Sequence, residues 1–394
     1  MRIAHVTLYP PKGEKHVQGS GVAAYSKNLI THTSGVTHEV ICEVTSSSEK
    51  YNEGHVVVHR VFKRNPLYIF VIHRCLKRIN PEVVHIQQEL ALFGNVITAY
   101  LLQWLVLLWR KKTVITIHGI VDPTKIDKKF VKENNSRLPV WLIRLAFRVI
   151  YTPLMKWAKR IIVHEAHFKE VAISKYGIAA SKIDVVPHGV ETLRIIDREL
   201  ARSALDIPQT AKVVLFMGYA TGYKGLDLLI EGFAKFAAVD PRAYLIIGAG
   251  KHPKLSRDPT YLAEYQRLMQ KAEKMLPRGS YQWQGFIDES EITSYYSASD
   301  VSIYPYTTAM SSSGPMSFAI GYEKPFLVST AFKDIFASHP KILFEQNPTS
   351  LAQRLQEFFA EQDTYTTASK VLKQTRTWES VGRKTAKVYQ KVEE

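Results

Sequence analysis

The chain has 394 residues, of which 46% are hydrophobic and 22% charged, a globular composition with room for about two domains. Its two cysteines, Cys42 and Cys75, exclude a disulfide framework and a cysteine metal cluster, and they fit a reducing, cytosolic compartment. The N-terminus MRIAHVTLYP lacks a long apolar segment, so we expect no secretory signal. The formal net charge of +16 favours nucleotides, nucleic acid or acidic lipid as partners. Because no zinc-finger, RRM or helix-turn-helix pattern occurs, we expect lipid rather than nucleic acid.

The first predicted unit is a strand at 3–6, a loop containing Gly19 and Gly21, and a helix at 22–31. A strand, a glycine-rich loop and a helix in this order can hold a phosphate group. The spacing is not the G-x-G-x-x-G of a dinucleotide fingerprint, however. A flexible loop whose glycines only permit the turn is the alternative.

Polar residues follow two further predicted strands. His85, Gln87, Gln88 and Glu89 lie at the end of a strand at 83–86, and His118 follows a strand at 113–117. The carboxyl ends of parallel strands face the ligand crevice of an open α/β sheet. Glu89 is therefore a candidate acid or base, with a solvated loop carboxylate as the alternative, and His118 is a candidate ligand-facing or structural residue.

Two apolar stretches of the first half have different predicted roles. Residues 96–109 are too few to span a bilayer, so they predict a buried helix. Residues 137–160 interleave tryptophan and leucine with basic side chains only, a pattern typical of helices that lie in a membrane interface. The alternative is a surface helix packed on its own core. Pro153 should break or kink it, and the polar stretch 122–137 predicts a mobile loop.

The second half repeats the strand–helix alternation. A strand at 213–217 leads into a loop at 218–225 that contains Gly218 and Lys224, and further strands are predicted at 244–247, 281–286, 301–304 and 325–328. Before a predicted helix at 315–322, the sequence Ser-Ser-Ser-Gly ends at Gly314. The free backbone N–H groups of that helix start could bind a phosphate, although an ordinary capped loop has the same pattern. A final amphipathic helix is predicted at 378–392.

Two strand–helix series predict an α/β protein with two parallel sheets, helices on both faces, and a ligand cleft between the domains. We place the boundary in the connector 191–210. The predicted domains lie at 1–195 and 196–375, and a C-terminal helix at 376–394 is expected to return to the first domain.

The sequences VVHIQQELALFG, TIHG, KIDVVPHGV, GYKGLDLLIEGF, IIGAG and SSSGPMSFAIGYEKPFLVS follow one another in the order seen in GT-B glycosyltransferases of family 4. The resemblance covers nearly the whole chain and is closest to the mannosyltransferase-like branch. It implies two Rossmann-like domains, of which 1–195 would bind the acceptor and 196–375 the nucleotide-sugar donor, such as GDP-mannose or a UDP-sugar. It also implies that the reaction retains the anomeric configuration and needs no metal or other cofactor. It also implies a glycan or lipid-linked acceptor at the cytoplasmic membrane face.

The resemblance implies a role for several residues. Lys224, in the loop that begins at Gly218, would contact the donor diphosphate, and His118 would lie near the donor sugar. The remaining implied contacts are Gly19 and Gly21 beside the diphosphate and acceptor, Ser312, Ser313 and Gly314 around the diphosphate, and Gly285, Phe286 and Ile287 at the nucleobase.

Three departures from the family pattern suggest a second hypothesis. Met310 and Phe318 stand where the family has glutamates, and Thr221 or Tyr219 stands in place of an arginine. Glu323 lies near the second glutamate position but is expected on another helical face. The sequence therefore supports a hexosyltransferase in which Lys224, His118 and Glu89 act, or a catalytically silent GT-B homologue that binds an active transferase.

Overall fold

The computed structural model describes residues 1–14, 21–90, 92–133, 136, 138–309 and 313–393. It forms two compact units. The first contains Met1–Gly189 and the C-terminal segment from Arg376, and the second contains Val190–Ala309 and Ser313–Thr375. Three residues discussed above lie outside the described residues. They are Gly19 and Ser312, which are expected to contact the diphosphate, and Met310, at the first glutamate position.

The first unit is built on an eight-stranded sheet with the order β3-β4-β2-β1-β5-β6-β7-β8. Only β3 runs antiparallel to its neighbour. The strands are β1 Arg2–Val6, β2 Thr37–Glu43, β3 Glu49–Glu53, β4 Val56–Phe62, β5 Val83–Gln88, β6 Thr113–Ile117, β7 Arg160–Val163 and β8 Ile183–Val185. The helices are α1 Gly21–His32, α2 Tyr68–Ile79, α3 Val96–Leu108, α4 Lys128–Glu133, α5 Val140–Trp157 and α6 Ala166–Tyr176.

The second unit has a six-stranded parallel sheet with the order β11-β10-β9-β12-β13-β14. Its strands are β9 Lys212–Tyr219, β10 Ala243–Gly250, β11 Tyr281–Trp283, β12 Val301–Tyr304, β13 Phe326–Ser329 and β14 Leu343–Phe344. Its helices are α7 Arg198–Ala204, α8 Leu226–Ala237, α9 Pro259–Met275, α10 Ile292–Ala298, α11 Gly314–Gly321, α12 Pro348–Ala360 and α13 Gln362–Arg376.

The last helix, α14 Trp378–Glu393, packs against α1, β6 and β7 of the first unit. Gly189 has no side chain, which makes room for the indole of Trp378, since a Cβ there would lie 2.4 Å from the ring. The guanidinium of Arg376 donates two hydrogen bonds, 2.7 and 3.0 Å long, to the carboxylate of Glu165. These contacts hold the end of the chain on the face of the sheet that carries α1.

The predicted α/β fold with two parallel sheets is confirmed, and the structure corrects several local predictions. The strand β2 and the helix α2 were not predicted. Residues predicted as a mobile loop contain a 3₁₀ turn, Pro123–Lys125, and the helix α4. The helix α5 continues through Pro153 without a break, because its apolar side is held in the core by Ile150 and Leu154.

Two further corrections concern exposure and helix ends. The helix α3 is buried on one side only, and Ile97, Trp104 and Leu108 on its other side are exposed. Glu323 does not lie on a helical face, because α11 ends at Gly321 and Glu323 adopts the left-handed conformation with φ 55°. Its carboxylate is instead paired with Lys373 at 2.8 Å.

Candidate functional site

The second unit holds a buried amine at the carboxyl edge of its sheet. Lys224 is 8% exposed, and its Nζ donates a 2.5 Å hydrogen bond to the hydroxyl of Tyr306. Among the described residues, no carboxylate is paired with Lys224. Burial lowers the pKa of this amine to about 7. Buried charges are normally paired, so this amine is suited to an anion brought by a ligand.

Local sequence explains why Lys224 takes this position. Gly225 follows it with φ 72°, and a Cβ at Gly225 would lie only 1.9 Å from the carbonyl oxygen of Pro305. Only glycine permits both that conformation and that approach. The backbone N–H of Thr307 also donates to the carbonyl of Tyr223 at 2.8 Å. The Lys224 loop and the segment that carries Tyr306 are therefore joined side by side.

A chain of hydrogen bonds leads from Lys224 to the start of α11. The hydroxyls of Tyr306 and Ser313 lie 2.8 Å apart, and Ser313 Oγ accepts from the backbone N–H of Met316 as the helix N-cap. With Lys224 donating to Tyr306, the Tyr306 hydroxyl can donate its own hydrogen to Ser313. The Ser313 hydroxyl then accepts twice and has its own hydrogen left to donate. Lys224, Ser313 and the helix N-terminus thus present donors to an anion.

The first turn of α11 is fixed by two other tyrosines. The hydroxyls of Tyr304 and Tyr296 both donate to the carbonyl oxygen of Pro315, at 2.8 and 2.5 Å. Phe318 lies one turn later, half-buried, with its ring centroid 6.3 Å from that of Tyr296. The position at which the family has a glutamate is therefore part of an aromatic cluster, and it supplies no oxygen to a ligand.

The segment predicted to hold the nucleobase has one exposed ring. Phe286 is 56% exposed and stacks on Tyr219, with centroids 6.0 Å apart, while Ile287 is buried. Gly248 makes room for Ile287, since a Cβ there would lie 2.5 Å from Ile287 Cδ1. Gly285 precedes these residues with φ 74°, and Gly218, at the end of β9, would place a Cβ 3.9 Å from Lys224 Cε.

His118 lies at the tip of β6 in the first unit, as predicted, but both of its ring nitrogens have protein partners. Nε2 lies 2.8 Å from the side-chain amide of Gln87, and Nδ1 lies 3.2 Å from Nε2 of His164. His164 in turn donates to the carbonyl of Val186 at 3.0 Å. Burial lowers the pKa of His118 well below its ordinary value, so the ring is neutral at pH 7.

This histidine belongs to a larger buried row. It contains five further histidines of the first unit, each buried or nearly so, and the hydroxyl of Tyr389 on α14 lies 2.7 Å from Nδ1 of His85. Burial lowers the pKa of His85 and of His164 to about 3 and that of His188 to about 4. The other members are His5, which lies 2.9 Å from the ring of His38, and His38 itself.

Two neighbouring side chains at the end of β5 differ in environment. Glu89 is exposed, as expected of a loop carboxylate. Gln88 is buried, and both of its amide atoms lack a hydrogen-bond partner among the described residues. A buried amide without a partner costs free energy, so Gln88 is better placed than Glu89 to bind a hydroxyl group. Gly21, which begins α1, has open space around its Cα.

Sequence reasoning selected Lys224, Ser313 and His118 as candidates but did not select Tyr306. A tyrosine after a proline gives no signal of its own, and only the fold brings it to Lys224. The structure also shows what the residues at the position of the absent arginine contact. Tyr219 at that position stacks on Phe286, and the Thr221 hydroxyl is buried without a partner among the described residues.

Two family models match the chain, one over each unit. The model of Glycosyltransferase Family 4 matches residues 19–194, and the model of Glycosyl transferases group 1 matches residues 197–375. A D-inositol 3-phosphate glycosyltransferase from Streptosporangium roseum is 27% identical over 157 residues, 38% of this chain and 34% of the relative. A mannosylfructose-phosphate synthase from Agrobacterium fabrum is 26% identical over 137 residues, 34% of this chain and 29% of the relative. These alignments span about a third of each relative's length.

Solved structures with the same fold cover the whole chain. The sucrose-phosphate synthase from Thermosynechococcus elongatus has a TM-score of 0.75 at 17% identity and covers 99% of this chain and 98% of its own. HepE from Anabaena, solved with UDP and glucose, has a TM-score of 0.69 at 13% identity and covers 99% of both chains. At these identities the likeness shows the fold alone. The chain therefore joins a Glycosyltransferase Family 4 region at 19–194 to a Glycosyl transferases group 1 region at 197–375, in the GT-B fold of glycosyltransferases.

Proposed function

We propose that this protein transfers a hexose from a nucleotide-sugar donor to a glycan or lipid-linked acceptor at the cytoplasmic face of a membrane. Mannose from GDP-mannose is the first choice, and a UDP-sugar is the second. The observation that carries the proposal is the buried amine of Lys224, which has no carboxylate partner among the described residues and shares a hydrogen-bond chain with the helix N-cap Ser313. A departing nucleoside diphosphate supplies the negative charge that this arrangement lacks.

The proposed chemistry is leaving-group stabilisation. As the bond from the sugar C1 to the diphosphate oxygen breaks, negative charge grows on the diphosphate. The Lys224 ammonium, the Ser313 hydroxyl and the backbone N–H of Gly314 at the start of α11 would stabilise that charge. The reaction we propose retains the anomeric configuration and needs no metal. His118 would position the sugar, with Glu89 or Gln88 on the acceptor side. Phe318, which has no side-chain oxygen, would offer no hydrogen-bond acceptor to the donor ribose.

A direct binding experiment tests the proposal. Thermal unfolding of the purified chain is recorded with GDP-mannose, UDP-glucose, UDP-N-acetylglucosamine, GDP and UDP, because a ligand that binds only the folded state raises the melting temperature. We expect one nucleotide series to raise it, and Lys224→Ala to abolish the rise. Absence of a shift with all five ligands, followed by absence of turnover with a panel of acceptors, would refute the proposal.

A catalytically silent GT-B homologue is the second candidate. The specific observation in its favour is the apolar setting of Phe318, which removes the ribose-binding oxygen that the family pattern expects. Under this alternative the chain binds an active transferase. Donor turnover that disappears in Lys224→Ala but persists in a matched exposed-lysine variant, Lys235→Ala, would exclude it.

A further inference from the structure

Three helices lie side by side on one face of the first sheet. The Tyr68 hydroxyl of α2 donates to the carbonyl of Thr98 in α3 at 2.8 Å, and the Trp109 indole beyond α3 lies 3.1 Å from the ring of His73 in α2. On the other side of α3, the rings of Trp104 and Trp157 approach to 6.2 Å, and α3 packs along α5. The outer sides of α2, α3 and α5 therefore form one continuous surface, which we call the three-helix surface.

The outer side of the central helix is apolar. The helix α3 contains no charged residue. Leu102, Leu105 and other residues of one side are buried in the core. The opposite side exposes Ile97, Trp104 and Leu108, spaced so that they form one stripe along the helix. The outer side of a surface helix is normally polar, so the stripe is unusual for a helix that faces water.

The same character extends over both neighbouring helices. Among the described residues, 12 of the 22 exposed large hydrophobic side chains lie on or directly beside these three helices, so the exposure is concentrated here. Phe70 on α2 is 59% exposed, Ile97 on α3 is 63% exposed and Trp141 on α5 is 65% exposed. An apolar patch of this kind on a protein surface marks an interaction site.

Charge identifies the kind of partner. The helices α2, α3 and α5 contain no aspartate or glutamate but six lysines and arginines. A second copy of this chain would bring the same positive charges to the interface without acidic groups to pair them. An anionic lipid surface complements both features, because its acyl region accepts the apolar side chains and its headgroups attract the basic ones.

Apolar and basic residues are distributed unequally along the helices. Each helix begins at the carboxyl edge of the sheet, since it follows one parallel strand and precedes the next. Phe70, Ile97 and Trp141 lie in the first halves of their helices. Six basic residues lie in the last turns or just beyond them, namely Lys77, Arg78, Arg110, Lys111, Lys112 and Lys156, whereas Arg74, Arg144 and Arg148 lie nearer the middle or the start of their helices. The apolar end is thus the one nearest the carboxyl edge, where His118 and Gln88 lie.

We propose that the three-helix surface binds an anionic membrane with the carboxyl edge of the first sheet tilted toward the bilayer. This orientation brings the acceptor side of the first unit to lipid level, where a lipid-linked acceptor presents its sugar. The helix α5, which lies within the stretch 137–160 expected from the sequence to contact lipid, supplies one side of the surface, and α2 and α3 supply the rest. The inference rests on the proposed function only for the use made of the membrane. Among the described residues, no helix is both long and apolar enough to cross a bilayer.

Vesicle co-sedimentation of the purified full chain tests the binding. We expect binding to vesicles of phosphatidylcholine with 30% phosphatidylglycerol, weakened by salt, and little binding to phosphatidylcholine alone. The triple variant Phe70→Asn, Ile97→Asn, Trp141→Asn should lower the partition coefficient at least about 10-fold. Lys77→Glu with Lys156→Glu should lower it at least about 25-fold, since each basic residue near an anionic surface contributes about fivefold.

Matched variants of the second unit are the controls. Val239→Asn with Met269→Asn and Met275→Asn removes exposed apolar side chains elsewhere, and Lys274→Glu with Arg278→Glu reverses exposed charge elsewhere. Both should bind vesicles as the parent chain does. Equal loss in the controls, absence of binding by the parent chain, or a dimer in solution that the Phe70, Ile97 and Trp141 variant dissociates would each overturn the proposal.

The tilt has its own test. An environment-sensitive fluorophore is attached at Ile97→Cys near the carboxyl edge or at Lys111→Cys beyond the other end of α3, since the native Cys42 and Cys75 are buried. We expect a blue shift on vesicle addition at position 97 and none at position 111. Equal shifts would overturn the tilted orientation. Because these experiments contain no donor, a chain that binds vesicles but no nucleotide sugar would refute the proposed function and leave the membrane surface standing.

Discussion

The buried polar groups at the carboxyl edges of the two sheets differ in whether the protein itself supplies their partners. In the first unit, histidines such as His118 and His164 bond to each other and to the protein, and burial keeps them neutral. In the second unit, Lys224 is buried beside a neutral tyrosine and has no carboxylate partner among the described residues. A buried group whose hydrogen bonds are all made within the protein stabilises the fold. A buried cation without a carboxylate partner is instead available to bind an anionic ligand.

Acid should destabilise the first unit, which contains the buried neutral histidines. The lowered pKa values of His85, His164 and His188 mean that the unfolded chain, with ordinary pKa values near 6.5, binds protons that the folded unit does not. Their stabilising contribution is therefore complete above about pH 6.5 and falls as the pH falls toward their folded values. The loss is about 1.4 kcal/mol per histidine for each pH unit, or about 4 kcal/mol per unit for the three.

We expect the first unit to unfold near pH 5 while the second unit, which has only His252 and His339 and buries neither fully, remains folded. Hydrogen exchange resolved by peptide at pH 7, 6 and 5 measures this difference. His164→Gln should reduce the pH dependence of unfolding by about one proton. Simultaneous loss of protection in both units would contradict the comparison.

Removing the amine should have the largest effect on activity. Lys224→Ala takes away the principal charge opposite the leaving diphosphate, so we expect kcat to fall about 100- to 1000-fold. Turnover of radiolabelled GDP-mannose or UDP-glucose measures it, with Lys235→Ala as the exposed control.

Replacing Lys224 by methionine tests the comparison between Lys224 and the buried histidines in the absence of ligand. Because burial of the Lys224 charge opposes folding, Lys224→Met should raise the melting temperature of the free protein. His164→Gln should lower it at pH 7. A fall in both variants would mean that Lys224 is a structural residue like the histidines.

Donor affinity should depend on pH through the same amine. Its pKa is about 7 in the free protein, and a bound diphosphate raises it, so binding above pH 7 requires uptake of a proton. Affinity for GDP or UDP should fall by up to about tenfold per pH unit above 7. Calorimetry in two buffers of different ionisation heat measures the proton uptake, which Lys224→Met should abolish. Constant affinity from pH 7 to pH 9 would contradict this role.

The smallest expected effect belongs to Tyr306. Tyr306→Phe removes the hydroxyl that joins Lys224 to Ser313, at 2.5 and 2.8 Å, and keeps the ring. Loss of one such hydrogen bond predicts a decrease in donor affinity of about three- to tenfold. Tyr281→Phe, on the edge strand β11, is the control, and isothermal titration with GDP or UDP is the measurement. An unchanged affinity would indicate that the loop alone positions Lys224 and that Tyr306 does not contribute.

Much of this protein was determined by its sequence alone. The alternation of apolar runs and helical periods predicted two parallel sheets and the loop at 218–225 that carries Lys224, because these signals depend on residues close together in the chain. The positions of Lys224, Ser313 and His118 at strand or helix ends follow for the same reason.

The tertiary structure decided what those residues meet. Tyr306 lies 82 residues from Lys224, and Tyr389 lies 304 residues from His85, so no local pattern could have paired them. Likewise, an apolar sequence predicted that α3 would be buried, whereas its neighbours α2 and α5 cover its flanks and leave its outer side exposed. Burial depends on which elements pack together across the sheet, and that is settled by contacts between distant parts of the chain.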